Sequence, residues 1–222
     1  MKPRALFVAS PKARGGVLAS RLVTEDKELF ASWLAGERAA GEALIERHYD
    51  SVARFLRTKA GPHADDLVQR VFLVCLDRGK QYRGDASFRA FLFGIARNVV
   101  FEFIRGKVRD QARAVEDVGS SSIVDLAPGL STIAIQRAEQ RLLVEALQRL
   151  PLDLQMAIEL YYWEELSVAE LAEALEVPAG TVKSRLHRAR ELLREEMNRL
   201  PGSEQERENV RSMFQLSDDS PD

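Results

Sequence analysis

The 222-residue sequence has a single cysteine, Cys75, and only three histidines. One cysteine excludes an internal disulfide framework and a cysteine-rich zinc site, and the scattered histidines offer no paired metal-ligand spacing. Cys75 lies in an apolar run, so we expect a buried structural thiol rather than a nucleophile. The sequence also has no glycine-rich phosphate loop and no paired catalytic constellation. These absences argue against an enzyme and predict that the protein uses no cofactor or metal.

Long apolar runs are missing as well. No run approaches the length of a membrane span, and Ala5–Ala9 is too short for the core of a signal peptide. We therefore expect a cytoplasmic, soluble protein. The formal net charge is only −2, so any nucleic-acid surface must be a local feature. No stretch shows sustained strand alternation, and the apolar periodicity predicts an all-α fold.

The segment from Ser167 to Leu193 predicts two helices joined by a tight turn. Ser167, followed three residues later by Glu170, forms a capping-box pattern. Val177–Gly180 interrupts the helix, because proline disfavours helical geometry in the residue before it, and Thr181 can then cap or open the second helix. One narrow apolar stripe runs along that helix at Val182, Leu186, Ala189 and Leu193.

The rest of this second helix carries basic and hydrogen-bonding side chains. At about 100° per residue they project away from the stripe or lie on its shoulders. Such a face near the start of a helix suits the DNA major groove, since arginine and lysine contact phosphates and guanine edges. The alternative is an ordinary solvated helix in a bundle. The candidate DNA-binding residues are Thr181, Lys183, Ser184, Arg185, His187 and Arg188.

A second candidate DNA surface involves the polar loop at residues 78–85 and the helix that follows, which Ser87 can cap. Cations hold phosphates of single-stranded DNA while bases stack on aromatic rings. The alternative is that most of these aromatic residues only pack in the hydrophobic core. The candidates are Lys80, Gln81, Tyr82, Arg83, Phe88, Phe91, Arg97, Asn98 and Arg105.

The motif V-P-A-G-T-V-K-S-R-L-H-R-A-R at residues 177–190 resembles the carboxy-terminal DNA-binding domain of bacterial sigma factors of the extracytoplasmic-function group, within the sigma-70 family. The resemblance extends over about Glu25 to Arg113. There, F-R-A-F-L-F-G-I-A-R-N-V-V is similar to the helix that opens and recognises the promoter −10 element. D-D-L-V-Q-R-V-F is similar to the helix that docks on the polymerase clamp.

This resemblance implies polymerase contacts at Asp65, Asp66, Leu67, Gln69, Arg70 and Phe72. Two positions depart from the family pattern. Arg70 stands where the family usually has an acid, which predicts an altered polymerase contact. Phe91 stands where tryptophan is common and preserves an aromatic surface.

We predict two small helical domains joined by a flexible linker, the carboxy-terminal one a helix-turn-helix. The predicted boundaries are a flexible basic arm at 1–23, a sigma region 2-like domain at 24–112, a linker at 113–134, a sigma region 4-like domain at 135–200 and an acidic tail at 201–222. The tail has few apolar residues, so we expect it to be disordered or only partly helical. Its acids either compete with DNA for the basic surfaces or only aid solubility.

The implied function is a sigma factor that binds core RNA polymerase and directs promoter recognition, −10 melting and transcription initiation. Its implied partners are core RNA polymerase, promoter DNA and an anti-sigma factor. One alternative is a helix-turn-helix regulator that is not a polymerase subunit, but no ligand or phosphorylation domain is evident upstream. Another is an enzyme with a helical accessory module, which the missing catalytic motifs do not support.

Overall fold

The computed structural model describes residues 26–79, 82, 87–117 and 138–213. Within these ranges every regular element is a helix, and the helices group into two compact units, from Asp26 to Asp117 and from Ala138 to Met213. The predicted all-α fold with two helical units is therefore confirmed. The basic arm, residues 118–137 and the last nine residues of the tail, 214–222, lie outside the described residues.

The amino-terminal unit contains α1 (residues 26–34), α2 (Arg38–Ala60), a 3-10 turn (Gly61–His63), α3 (Ala64–Arg78) and α4 (Phe88–Asp117). Helices α2, α3 and α4 pack pairwise around one core. As predicted, Ser87 caps α4, with its Oγ accepting from the Ala90 N–H at 3.1 Å. Helix α4 continues through residues 113–117, although the sequence prediction places these residues in the linker. No glycine or proline follows Gly106 within the helix, so nothing in this stretch breaks it.

Cys75 belongs to the core of this unit, on the inner side of α3. Its side chain is fully buried, and burial raises the pKa of its thiol to about 12. The thiol therefore stays protonated at neutral pH, and the prediction of a structural cysteine is confirmed.

A buried carboxylate joins α1 to α2. Asp26 is 1% exposed, its Oδ2 lies 2.8 Å from Nε2 of His48, and Arg47 binds its other oxygen. Burial alone raises the pKa of Asp26, but hydrogen bonds and charge from His48 and Arg47 outweigh burial and hold that pKa below its ordinary value. Asp26 thus remains ionised, and its contribution to stability is lost only as the pH falls through this lowered pKa.

The carboxy-terminal unit contains α5 (Ala138–Gln148), α6 (Leu152–Tyr162), α7 (Val168–Leu175), α8 (Ala179–Arg199) and α9 (Glu204–Met213). Helix α8 is the longest of these and contacts all four others. A hydrophobic core built mainly from α5, α6 and α8 holds the unit together. The predicted stripe of α8 is entirely buried in the unit: Val182, Leu186, Ala189 and Leu193.

The turn between α7 and α8 follows the predicted helix-turn-helix. The capping box is present, with the Glu170 N–H donating to Ser167 Oγ at 3.3 Å and the Ser167 N–H donating to Glu170 Oε2 at 2.9 Å. Glu176 ends α7 in the left-handed region at φ 54°. Helix α8 begins at Ala179, two residues before Thr181, because Pro178 already accepts the first helical bond from the Val182 N–H at 3.1 Å.

The start of the acidic tail folds into α9 and packs against α5 and the end of α8. Its first turn has a second capping box: the Glu206 N–H donates to Ser203 Oγ at 3.2 Å, and the Ser203 N–H donates to Glu206 Oε2 at 2.7 Å. Val210 is 1% exposed and belongs to the core of the unit. A partly helical tail agrees with the sequence prediction, but its packing was not predicted.

Arg207 attaches α9 to the end of α8. Its Nε donates to the Met197 carbonyl at 3.2 Å and its Nη2 to the Leu200 carbonyl at 3.0 Å, which satisfies acceptors that a helix end leaves unpaired. The acids of α9 bond locally, for example Glu204 to Arg211 at 2.7 Å. Glu204 and Glu208 therefore bond within α9, whereas Asp218, Asp219 and Asp222 lie outside the described residues, so competition between the acids and DNA stays a prediction.

Removing residues 203–222 should destabilise the carboxy-terminal unit, because its core loses Val210 and α8 loses the bonds from Arg207. The expected loss is about 2–4 kcal/mol of unfolding free energy, measured as faster amide hydrogen exchange in α5 and α8. The control truncation, residues 214–222, keeps α9 and should leave exchange unchanged. Equal protection in the full-length chain and the longer truncation would show that α9 does not support the unit.

Candidate nucleic-acid and polymerase interfaces

The exposed side of α8 carries the side chains that the sequence predicted to face outward. Lys183, Ser184, His187 and Arg188 are all exposed, on the opposite side from the buried stripe. Ser184 Oγ donates to the Thr181 carbonyl at 3.0 Å, so part of its hydrogen-bonding capacity is used within the helix. These four side chains form a polar, basic surface near the start of a rigid helix, the arrangement that major-groove binding requires.

Two other predicted residues of α8 are less available. Thr181 is half-buried in the first turn. Arg185 is also half-buried, with Nη2 3.4 Å from Oδ2 of Asp153 on α6. Farther along, Arg190 donates from Nε to the Tyr162 hydroxyl at 3.0 Å. The sides of α8 that flank the buried stripe thus contact α6, and these contacts fix the rotation of the helix about its axis.

One acidic residue lies against the outward face of α8. Glu191 places Oε2 3.3 Å from Nη1 of Arg188 and Oε1 3.5 Å from Nε2 of His187. These three side chains are 42%, 59% and 74% exposed, in that order. The contacts are therefore solvent-screened and weak, in the range of about 0.2–1 kcal/mol for such pairs.

The aromatic candidates of the amino-terminal unit are not equivalent. Phe88 is 1% exposed and packs on Phe30 at 4.9 Å between ring centroids, so the prediction that it contacts single-stranded DNA directly is wrong in this structure. It occupies the core-facing position at the start of α4. Tyr82 and Phe91 are half-buried, with ring centroids 5.0 Å apart. Lys80, Gln81 and Arg83 lie outside the described residues.

A row of arginines continues along α4. Arg97, Arg105 and Arg109 lie eight and four residues apart, which places them on one side of the helix over about 18 Å. Arg97 stacks its guanidinium 5.1 Å from the Phe101 ring and donates to Asn98 Oδ1 at 3.2 Å. Arg105 and Arg109 are exposed and each donates to the carbonyl four residues earlier at 3.3 Å.

The outer face of α3 is a mixed polar and apolar surface. Asp65, Asp66, Gln69 and Arg70 are exposed, whereas Leu67 and Phe72 are buried at 7% and 6%. Direct polymerase contacts by Leu67 and Phe72 are therefore a wrong prediction, because the helical period turns both side chains into the core. Leu73 is 69% exposed and Leu76 is 40% exposed.

Arg70 connects α3 to α4. Its Nη2 lies 2.5 Å from Oε2 of Glu102, and the two side chains are 53% and 45% exposed. The departure from the family pattern at position 70 thus coincides with an ion pair on the surface of the unit.

Comparison with known proteins identifies both units. The family described as Sigma-70 region 2 matches residues 44–110, and the family described as Sigma-70, region 4 matches residues 140–204. The chain is 32% identical to the ECF RNA polymerase sigma factor SigM of Mycobacterium tuberculosis H37Rv over 168 residues, which is 74% of this chain and 81% of that protein. The chain belongs to the extracytoplasmic-function group of sigma factors.

Further relatives agree with this membership. The sigma factor is 30% identical to the ECF RNA polymerase sigma-E factor of Escherichia coli K12, over 76% of this chain and 92% of that protein. Its fold is similar to CnrH, solved in complex with the cytosolic domain of CnrY (TM-score 0.57, 22% identity, 80% and 99% coverage). It is also similar to the sigma factor RpoE of Bartonella quintana, solved with the anti-sigma factor NepR (TM-score 0.57, 24% identity, 71% and 96% coverage).

As a sigma factor the protein binds RNA polymerase and directs promoter recognition. The family matches do not cover α1 or most of α9, although α1 supplies Phe30 and α9 supplies Val210 to the cores of their units. Among the described residues no helix is both long and apolar enough to cross a membrane.

The sequence reasoning did not single out the exposed Leu73 and Leu76 of α3 or the contacts of Glu191 with Arg188 and His187 as features of the candidate interfaces. The sequence did contain a signal that Leu73 is exposed, because it lies four residues after Gln69 and outside the apolar stripe of α3. For Glu191 the signal was a single acid in a basic run of α8.

The Arg70–Glu102 pair provides a test of whether this face of α3 contacts core polymerase. Arg70→Glu alone places two carboxylates side by side, whereas Arg70→Glu combined with Glu102→Arg restores an ion pair with an acid at position 70. We expect the single variant to bind core polymerase more weakly than the double variant, by up to about fivefold for an exposed pair. Fluorescence anisotropy with labelled sigma factor measures this; equal affinities would show that the bridge does not shape the docking face.

Proposed function

We propose that α8 recognises the −35 element of the promoter, with Arg188 contacting base edges and Lys183 contacting phosphate. The supporting observation is the exposed basic face of α8, whose rotation is fixed by the buried stripe and by the Arg185 and Arg190 contacts with α6. Arginine binds both acceptors of guanine at once, whereas lysine acts as a point charge toward phosphate.

We propose that Tyr82 and Phe91 form the aromatic surface against which unpaired bases of the −10 element stack. Their rings rest on Phe30 at centroid distances of 5.4 Å and 5.9 Å, so α1 supports the surface from below. Phe88 packs beneath this surface and does not contact DNA itself. Arg97 and Arg105 then hold the strand through its phosphates and favour the melted state, because single-strand binding combines stacking with a cationic track.

We propose that α3 docks on core polymerase through Asp66, Gln69 and Leu73. These residues lie three, four and seven positions apart and share one exposed side of the helix. Leu73 supplies an apolar anchor of the kind that carries much of an interface's binding energy when it fills a pocket. Asp65 and Arg70 lie beside this set and supply a polar rim.

We also propose an anti-sigma partner, a cytoplasmic location and no enzymatic activity for this chain. Two structurally similar proteins, CnrH and the Bartonella quintana RpoE, were solved with a protein partner, an anti-sigma factor in the second case. The exposed Leu73 and Leu76 on the outer face of α3 offer such a partner an apolar area to cover. Because polymerase supplies the catalytic site, the sigma factor needs only to bind and position DNA.

Run-off transcription with purified core polymerase tests the function as a whole. We expect the full chain to direct initiation at a promoter identified by sequencing the transcripts that appear on its overproduction. A helix-turn-helix regulator outside the polymerase would bind DNA yet fail to start transcripts with core polymerase alone, and that result would contradict the proposal.

Arg188→Ala should weaken binding to a duplex that the wild-type protein selects from a random pool by about 1–3 kcal/mol. The loss should appear only in duplexes that carry guanine at the one position that Arg188 contacts. Lys183→Ala should weaken binding to all duplexes alike, since phosphate contacts carry no sequence information. The measurement is a gel-shift titration with the selected duplex and its single-base variants. Arg199→Ala, at the other end of α8, is the control and should leave affinity unchanged. Wild-type affinity and wild-type selectivity in both test variants would remove α8 from the interface.

Leu73→Ser should reduce affinity for core polymerase by about tenfold, because an anchoring side chain typically contributes 1–2 kcal/mol or more. The fold should be unaffected, since Leu73 is 69% exposed. Val108→Ser is the matched control, because Val108 is also an exposed apolar residue but lies on α4 rather than on α3. Binding of both variants at wild-type affinity in a labelled-core titration would place the docking surface elsewhere.

A further inference from the structure

Helix α1 precedes the part of the chain that the region 2 family matches, which begins at residue 44. The first turn of α1 is held by the buried Asp26, whose Oδ2 lies 2.8 Å from Nε2 of His48 and whose other oxygen binds Arg47. His48 is itself 5% exposed, and its ring centroid lies 5.4 Å from that of Phe88. The start of α1 is therefore tied to α2 and, through His48, to the start of α4.

Two glycines allow the rest of α1 to approach its neighbours closely. A Cβ at Gly41 of α2 would clash with the ring of Trp33, and a Cβ at Gly79 would clash with Leu34, each at less than 3.0 Å. Gly41 lies inside a helix, where glycine is less stable than alanine. The close contact with α1 gives a reason for glycine at both positions.

Phe30 lies in the middle of this contact and connects α1 to the proposed −10 surface. It is 1% exposed, and its ring centroid lies 5.4 Å from that of Tyr82 and 5.9 Å from that of Phe91. Tyr82 is also joined to the end of α3, because its N–H donates to the Gly79 carbonyl at 3.1 Å. A displacement of α1 would therefore remove support from Tyr82 and Phe91 without altering either residue.

We propose that the packing of α1 on α2 and α3 is coupled to binding of the −10 strand, with Phe30 as the positioning residue that carries the coupling. This inference rests on the proposed stacking role of Tyr82 and Phe91. It assigns a role in promoter opening to a helix that itself contacts no DNA: the affinity for the strand is high only while α1 is packed in place.

Thermodynamic linkage makes this coupling reciprocal. If the strand binds better to molecules in which α1 is packed, its apparent affinity falls in proportion to the fraction of such molecules. The bound strand must then favour the packed state of α1 by the same factor. Local opening of a short helix requires less free energy than global unfolding, so α1 can open while α2, α3 and α4 stay folded.

The first experiment measures the affinity of holoenzyme for single-stranded DNA by fluorescence anisotropy. The probe is a labelled oligonucleotide with the −10 element of the promoter identified by transcript sequencing, in the strand that wild-type holoenzyme binds more tightly. Phe30→Leu should weaken binding by about threefold or more, because two ring contacts beneath the surface are lost. Phe55→Leu is the matched control: Phe55 is also 1% exposed but packs on Phe93, at 5.6 Å between centroids, and the change should leave strand affinity unchanged.

Gly41→Ala separates the packing of α1 from the stability of the unit. Alanine favours the helical state, so the change should stabilise α2, whereas its Cβ displaces Trp33, whose ring packs edge-on against Phe30 at 6.1 Å. Strand affinity should therefore fall. Gly106→Ala makes the same change in α4, where a Cβ would meet nothing within 4 Å, and should leave strand affinity at the wild-type value.

Amide hydrogen exchange tests the reciprocal effect. Exchange of the α1 amides is measured in wild-type holoenzyme with and without the oligonucleotide, and the bound strand should slow it. Without the oligonucleotide, the same amides should exchange faster in Phe30→Leu and Gly41→Ala than in the wild type. Exchange in α8, which belongs to the other unit, serves as the internal control and should not change.

Three outcomes would overturn the proposal. One is a variant whose α1 amides exchange faster than in the wild type but whose strand affinity is unchanged. Another is an equal loss of strand affinity in Phe55→Leu, which would indicate general destabilisation of the unit. The third is α1 exchange in the wild type that the bound strand does not slow.

Failure of this inference is separable from failure of the proposed function. If Phe91→Ala leaves strand affinity unchanged, the aromatic surface is not the −10 strand site. If Phe91→Ala weakens strand binding but Phe30→Leu does not, the surface binds the strand and only the role of α1 is wrong.

Discussion

Burial of one stripe of α8 is the constraint on which DNA recognition by the carboxy-terminal unit depends. Val182, Leu186 and Leu193 are at most 3% exposed and face the core formed with the other helices. Because the rotation of a helix about its axis is fixed once one face is buried, this packing also fixes the direction of Lys183 and Arg188. The proposed recognition surface is therefore on the opposite side of α8 from the hydrophobic core, and a change in core packing would rotate it.

Sequence reasoning succeeded where a local pattern decides the structure. The capping box at Ser167 and the apolar stripe of α8 are short-range signals, and they predicted the helix-turn-helix and its outward residues. It failed where residues were taken as a block: the resemblance carried over the whole run D-D-L-V-Q-R-V-F, but the helical period buries Leu67 and Phe72. The packing of α9 was missed because its acidic composition masked a second S-x-x-E pattern and a single buried valine.

The net charge of −2 conceals how charge is distributed over the surface. Several guanidinium groups at the proposed interfaces already have a carboxylate neighbour, as in Arg185 with Asp153 and Arg70 with Glu102. Such pairs contribute little to stability when exposed, but they determine what a partner must displace. A phosphate or a polymerase carboxylate gains only the difference between the new contact and the old one.

This exchange matters for a protein whose target competes with a large excess of other DNA. Non-specific affinity grows with every cation that neutralises a phosphate, whereas discrimination grows only with contacts to base edges. A recognition helix with unopposed cations would thus gain affinity for all sequences together.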